Sequence, residues 1–465
     1  MSAPARATIA APPERFDAHV QTVIIGAGAA GLVAALAAQE AGQEVLVLER
    51  DAVPSGSTAL SAGLIPAAGT RFQAAAGIDD DPSRFAADIQ KKADAQNDPA
   101  LVELLTSQAA PAIEWLAERH GLPFSLVDDF DYPGHSRRRM HGLPSRSGEA
   151  LIDALRSAVE GAGIDILCDA RVTTLLAQDG RIHGVGFTRP DGTTEALGCD
   201  RLVLACNGYG GNPALVSRYM PDIADALYFG HPGNQGEAME WGKALGARIV
   251  HPGAYQGHGN VAHPHGILIT WAVITEGGFQ VNRHGTRFWN EAQGYSEAAR
   301  AVLAQPGGEA FTIFDDRIAG IARQFADFRN AEAQGAIQQA ETARDLAAQM
   351  GLPAAALEAS HDGVEAAKRG AKDPFGRTLA GAAALSPPYC AVRVTGALFH
   401  TQGGLAVDAQ ARVCRAEGGV FPNLFASGGA ACGVSGAGDA GYLSGNGLLA
   451  AVTLGRLAGM ARGSQ

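Results

Sequence analysis

Short apolar runs that end in glycine-rich turns punctuate this chain. The most complete is VQTVIIGAGAAGLVAALAAQEAGQEVLVLER, starting at Val20. It predicts a strand, a glycine turn, an Ala-rich helix and a second strand, Val45–Leu48, ending at Glu49. RLVLACNGYGGN (201–212) and NLFASGG (423–429) predict further strands running into turns, and residues 445–459 predict an apolar helix. RVTTLLAQDGRIHGVGF (171–187) reads as a hairpin around Asp179-Gly180. Between about 250 and 396 the texture changes. A histidine-bearing stretch (His251, His258, His263, His265) leads into ITEGGFQVNRHGTRFWNE, which predicts a strand hairpin. An Ala/Gln/Glu-rich helical stretch follows, from about Phe311 to Arg369. The pattern predicts an α/β domain split in sequence, 1–249 and 397–465, with an α+β insertion over 250–396.

Composition narrows the functional classes. The chain has 465 residues, 46% of them hydrophobic and 18% charged, enough for a large core and two or three domains. Its net charge of −12 argues against nucleic acid or an anionic membrane as partner. There is no apolar run long enough for a membrane span. The start, MSAPARATIAAPPERFD, reads as a loose arm and not a signal peptide. Six scattered cysteines form no C-x-x-C, which disfavours zinc, iron–sulfur clusters and attached haem; buried free thiols and a cytoplasmic location are expected. Sixty glycines without a collagen period point to tight turns and close ligand approach.

The first turn carries chemistry. Gly26-x-Gly28-x-x-Gly31, between a strand and a helix, is the dinucleotide fingerprint, and Glu49 at the end of the next strand is placed to bind a ribose hydroxyl. Its glycines let a pyrophosphate rest on the helix N-terminus. The fingerprint alone does not separate FAD from NAD. Nucleotide-contacting turns at both ends of the chain suit a long cofactor held by a split domain.

Taken in order, the fingerprint, STALSAG, LVLACNGYGGN, HPGAYQ, ITEGGFQVNRHGTRFWNE, DPFGR, FHTQGG and the glycine-rich end resemble one family. It is the fumarate reductase/succinate dehydrogenase flavoprotein superfamily, which includes the 3-ketosteroid dehydrogenases. The resemblance runs from Val20 to Gly459. It implies FAD, a Rossmann-type FAD-binding domain with an inserted cap, and hydride exchange with flavin N5. Cofactor contacts are implied at Gly26, Gly28, Ala30, Gly31, Glu49, Arg50, Ser57, Thr58, Ala62, Gly63 and backbone at Val172. Asn207, Gly208, Gly429, Asn446, Gly447 and Leu448 complete the set. Ser57 stands where succinate dehydrogenases link FAD to a histidine, which implies a non-covalent cofactor. Gln235 stands where the family often has an aspartate.

The same resemblance implies the substrate site. Fumarate reductases hold a dicarboxylate with two histidines and a Thr-Glu pair; their counterparts here look like His251, His400 and Thr275-Glu276. Two arginines complete that site, a proton donor and a carboxylate clamp. Their positions look like Tyr295, four residues after Glu291, and Tyr442. Ketosteroid dehydrogenases place a catalytic tyrosine after the Asn-Glu, as in NEAQGY, and one branch has Tyr-x-Ser-Gly in its terminal loop, as in YLSG. Tyr442 with Ser444 would then bind or polarise a ketone, or relay a proton. Losing both arginines removes the bidentate grip on a carboxylate, whereas a phenol can hydrogen-bond a ketone oxygen.

The expected activity is therefore an FAD oxidoreductase interconverting a saturated and an α,β-unsaturated carbonyl compound, a small-molecule cyclic ketone, with an unidentified electron acceptor or donor. The alternatives are a fumarate reductase-like enzyme acting on an unsaturated acid, and a flavoprotein subunit of an electron-transfer complex. The histidines at 258, 263 and 265 read as loop residues near a cleft, with no metal. HSRRRMH (135–141) reads as a solvated basic loop, and Trp241, Trp271 and Trp289 as packing.

Overall fold

Four strands of the main sheet end level with one another; three open into small-residue turns and the fourth into Glu49-Arg50-Asp51. In the register, Ile25 stands beside Leu48 on one side and Leu204 on the other, and Leu204 stands beside Ala426. All these pairings are parallel. The turns after these residues therefore share one edge, the carboxyl edge at which open α/β sheets bind ligands.

The computed structural model describes residues 7–128 and 132–461. They divide into two compact units. Unit 1 comprises 1–219, 230–255 and 400–465; unit 2 comprises 220–229 and 256–399. The segment Met220–Phe229, assigned to the first domain on sequence grounds, packs with unit 2.

Unit 1 is built on a nine-stranded sheet. The strand Thr194–Leu204 joins its two textures. Its first half pairs antiparallel with Arg181–Thr188, and its second half pairs parallel with His19–Ile25 and Val420–Ala426. Arg171–Gln178 and Arg181–Thr188 form the expected hairpin, with Asp179 and Gly180 both at positive φ (52° and 72°), the geometry of a two-residue primed turn. The helices Ala29–Glu40 and Asn446–Met460 cover the sheet with nearly continuous buried Ala, Val, Leu and Gly.

Unit 2 has a seven-stranded sheet centred on Tyr389–Thr401, whose last two residues pass into unit 1. Its core is aromatic and aliphatic, including Phe279, Phe314, Phe328, Trp271 and Trp289.

Three sequence expectations are corrected. Part of the N-terminal arm is ordered: Thr8–Ala10 adds a parallel strand to Thr174–Leu176. ITEGGFQVNRHGTRFWNE is not a hairpin, because Phe279–Val281 pairs with Phe311–Ile313 instead. The stretch read as helical from Phe311 contains the strands Glu309–Asp315 and Ile337–Ala340. None of the described helices is long and apolar enough to cross a membrane.

Candidate active site

The cofactor cradle begins at Gly26, whose φ of 102° favours glycine. A Cβ at Gly31 would lie 1.8 Å from the Gly26 carbonyl oxygen, so the turn closes only without a side chain there. The following helix takes no side-chain cap from its own N-cap residue, Gly28. Its Ala29 N–H donates to Thr58 Oγ1 at 3.0 Å. Glu49 is buried and accepts from the Ala27 N–H at 2.8 Å through one oxygen and from the Asp51 N–H at 3.0 Å through the other. The acid thus ties the glycine turn to the second strand, and each oxygen keeps a lone pair for a ribose hydroxyl.

Ser57 sits in a knot of amides. Its Oγ accepts from Asn207 Nδ2 at 3.1 Å and Asn234 Nδ2 at 2.9 Å. Asn207 has φ 64°, and its Oδ1 accepts from Gly208 N–H at 2.8 Å. A Cβ at Gly429 would be 2.1 Å from that Oδ1. Gln235 is engaged with the carbonyls of Gly211 and Pro232 at 2.8 and 2.6 Å. Arg50 reaches the Gly233 carbonyl at 2.7 Å. Ala62 is exposed, Gly63 is buried at φ 65°, and the Val172 side chain belongs to the core. Two polar atoms, Thr401 Oγ1 and Asn446 Oδ1, are buried without a protein partner. Glycine turns without side chains, uncapped helix N–H groups and orphaned polar atoms fit a long, polar, anionic cofactor.

Beside this cradle unit 1 assembles His400, Tyr442 and Ser444. The His400 ring meets Tyr442 edge-on, with centroids 5.6 Å apart, and lies against Gly447, where a Cβ would be 2.8 Å from Cε1. Burial pushes His400 down to about 4, against an opposing hydrogen bond with Thr401, so the ring is neutral at pH 7. Burial likewise raises the Tyr442 phenol well above the ordinary tyrosine range, although hydrogen bonds from the Gly447 and Gly445 backbone at the terminal helix act to lower it. Tyr442 is therefore a neutral donor, not a ready base. His251 (φ 49°) shares this neighbourhood through its backbone: its carbonyl abuts Gly403, and the Gln402 N–H donates to Ala254 at 2.7 Å.

The basic segment 135–141 contributes from behind. Arg139 is fully buried, bidentate to Asp80 at 2.9 and 3.0 Å and bonded to Asp88 at 2.6 Å. His135 Nε2 lies 3.0 Å from the Ser444 carbonyl. Burial and the Arg139 charge push His135 down to about 4, which leaves it neutral with Nε2–H as the donor. The solvated-loop reading of HSRRRMH is thus corrected: Arg137 and Arg138 are exposed, but Arg139 and His141 are buried and His135 meets the Ser444 carbonyl.

Unit 2 carries Tyr295. Glu291, fully buried, holds the preceding turn by accepting from Arg287 at 3.0 and 2.6 Å and Arg377 at 3.2 Å. The Tyr295 ring stacks on His258 (4.9 Å, 21°) and meets Trp271 edge-on at 6.4 Å. His258 is not a loop residue. It lies in the strand Tyr255–Ala262, sandwiched between Tyr295 and Phe399, and burial pushes it down to about 3. Its Nδ1 accepts from Asn260 N–H at 3.2 Å. Sequence reasoning missed it because a strand buried on both faces shows no alternation. Glu276 lies at the other end of the short helix from Trp271 and pairs with Arg317 at 3.8 Å, half exposed. His263 and His265 are exposed, and no group of three or more His, Cys, Asp or Glu able to hold a metal occurs among the described residues.

Comparison with known proteins bears on the family and the fold. Residues 21–448 match the FAD binding domain family. A probable fumarate reductase of Shewanella frigidimarina is 32% identical over 94% of this chain and 74% of its own length. The open conformation of a flavocytochrome c3 fumarate reductase superposes with TM-score 0.81, at 30% identity, over 96% of this chain and 78% of that one. The 3-ketosteroid-Δ4-(5α)-dehydrogenase of Rhodococcus jostii, in complex with 4-androstene-3,17-dione, superposes with TM-score 0.78, at 25% identity, over 98% and 99%.

Proposed function

Because the chain belongs to the FAD-binding fumarate reductase/succinate dehydrogenase flavoprotein superfamily, and is an FAD-dependent oxidoreductase acting on CH–CH groups, we propose that it interconverts a saturated and an α,β-unsaturated ketone, the ketone being cyclic. FAD, held without a covalent link by the cradle around Glu49 and Ser57, supplies the hydride acceptor or donor. One observation carries the choice of ketone over dicarboxylate. Tyr442, where the resemblance implies a carboxylate-clamping arginine, is a buried neutral phenol at the N-terminus of the terminal helix.

A neutral phenol donates one hydrogen bond to a carbonyl oxygen and gives no bidentate grip on a carboxylate. The backbone N–H groups of Gly445 and Gly447 and the positive helix end act on the Tyr442 oxygen, which strengthens its hydroxyl as a donor to the oxygen that gains charge when the carbonyl enolises. In desaturation the Cα proton leaves to a base and the Cβ hydrogen leaves as hydride; reduction reverses both transfers. Tyr442 polarises the carbonyl and Ser444, two residues on, adjoins it for proton relay; the resemblance gives the proton-handling role to Tyr295. His400, neutral, offers a hydrogen bond that a second oxygen on the substrate can take.

The test is anaerobic bleaching and reoxidation of the bound flavin with cyclic ketones, cyclic enones and fumarate. Bleaching by a saturated cyclic ketone, or reoxidation by its enone, with fumarate inert, is expected. Fumarate acting faster than every ketone and enone overturns the reading.

A further inference from the structure

Behind His400 lies a chain of buried amides and one hydroxyl. Asn446 Nδ2 donates to Ser435 Oγ at 3.0 Å, Ser435 Oγ donates to Gln402 Oε1 at 2.6 Å, and Gln402 Nε2 lies 3.0 Å from His400 Nδ1. Asn446, Ser435 and Gln402 are each 5% exposed or less. We infer that Gln402 is a positioning residue that fixes which nitrogen of His400 carries the proton, holding the ring in its Nε2–H form so that it offers the substrate a hydrogen-bond donor and not an acceptor.

The direction follows from counting protons. Ser435 has a single hydroxyl hydrogen. With Asn446 donating to its oxygen, that hydrogen goes to Gln402 Oε1, and the NH₂ face of the amide turns to His400. Nδ1 must then accept, which leaves the proton on Nε2. The Thr401 carbonyl lies 3.3 Å from Nδ1 and favours the opposite tautomer, but it is farther than the 3.0 Å amide. Gln402 therefore decides between two partners that want different protonation sites. Its backbone is fixed as well: its N–H donates to Ala254 at 2.7 Å and its carbonyl accepts from Gly433 at 2.8 Å.

The consequence for substrate choice rests on the reading of His400 as a substrate-facing group. A donor-only edge suits a ketone or carboxylate oxygen. An accepting edge suits a hydroxyl, which it could also deprotonate.

The experiment is 15N NMR of the FAD-loaded protein labelled at histidine, without substrate, with His400→Gln used to assign the His400 signals. Wild type is expected to show a protonated Nε2 and an unprotonated Nδ1. Gln402→Glu, which can only accept, is expected to move the proton to Nδ1. Gln402→Met, where only the Thr401 carbonyl remains, is expected to move it likewise and serves if the glutamate variant does not fold. Loss of the donor should also raise KM about tenfold, the effect of one hydrogen bond, with a smaller change in kcat. A wild-type proton on Nδ1, or folded variants that all retain the wild-type tautomer, overturns the inference. The spectrum is taken without substrate, so its result stands whichever compound the enzyme turns over; the flavin-bleaching panel tests the activity without reference to the tautomer.

Discussion

Tyr442 and Tyr295 stand where the resemblance implies a pair of arginines. Each is a neutral group set among aromatic or imidazole rings, so neither adds a fixed positive charge. Tyr442→Phe keeps the edge contact with His400 and removes only the hydroxyl. It is expected to retain FAD and to lower ketone turnover by about 10²-fold or more, measured by steady-state rates and the flavin spectrum. Tyr295→Phe should show a comparable loss, since its ring still stacks on His258. Tyr442→Arg is expected to shift preference towards unsaturated diacids; equal losses on ketones and diacids in the Phe and Arg variants would reduce Tyr442 to packing. Glu49 acts both on the ribose and on the fold. Glu49→Ala leaves the Ala27 and Asp51 N–H groups without their carboxylate, so it should lower stability by about 1–3 kcal/mol as well as weaken FAD retention. Glu49→Gln, which keeps one acceptor oxygen, should lose less of both in denaturant melts and flavin-release assays.

At the scale of elements, the basic segment 135–141 provides the sharpest contrast between composition and role. Arg139→Met leaves Asp80 and Asp88 without their buried guanidinium, and a loss of about 3–5 kcal/mol is expected in chemical denaturation. Arg137→Ala, on the exposed side of the same run, should stay within about 0.5 kcal/mol. A comparable loss in both would mean that the Arg139 cluster does not anchor the loop. Nothing local distinguishes these arginines, because the acids that bury Arg139 lie more than fifty residues upstream. Sequence was informative where the physics is local. The turn at Gly26 needs glycines at fixed offsets, and Asp179-Gly180 suits a primed turn, so both could be read directly. The pairing of Phe279–Val281 with a strand thirty residues away could not, since alternation marks a strand but not its partner. The three-residue strand Thr8–Ala10 is too short to leave any period. His258 and Gln402 were illegible for a similar reason: their roles come from what they touch, and a lone His or Gln carries no spacing signal.

Over the whole molecule, four neutral histidines, two buried and two half-buried, link stability to pH. Burial pushes His135, His141 and His400 down to about 4 and His258 to about 3, while in the unfolded chain each returns to an ordinary value near 6.5. Between those limits the unfolded state binds more protons than the folded one, so stability rises with pH across the interval. It is complete above about pH 7 and is lost as pH falls from about 6.5 towards 4. One such group contributes a slope of at most about 1.4 kcal/mol per pH unit. The carboxyls of Asp88, Glu309 and Asp373 are held low: burial would raise each, but hydrogen bonds and nearby arginines outweigh it. Their contribution has the same sign and is lost at still lower pH. The expected outcome is a thermal midpoint that is flat from pH 8 to 7 with saturating FAD, then declines steadily below about 6.5. His258 allows the cause to be isolated. His258→Phe preserves a ring between Tyr295 and Phe399, removes the acceptor for the Asn260 N–H, and deletes one titrating group. Its midpoint at pH 7.5 should be somewhat lower than wild type, while its decline between pH 6.5 and 4 should be shallower by up to one proton's worth of slope. A variant that loses the same stability at every pH would show that the His258 ring titrates alike in the folded and unfolded chain, and the acid sensitivity would then have to come from the other lowered histidines, His120 among them, and the carboxyls.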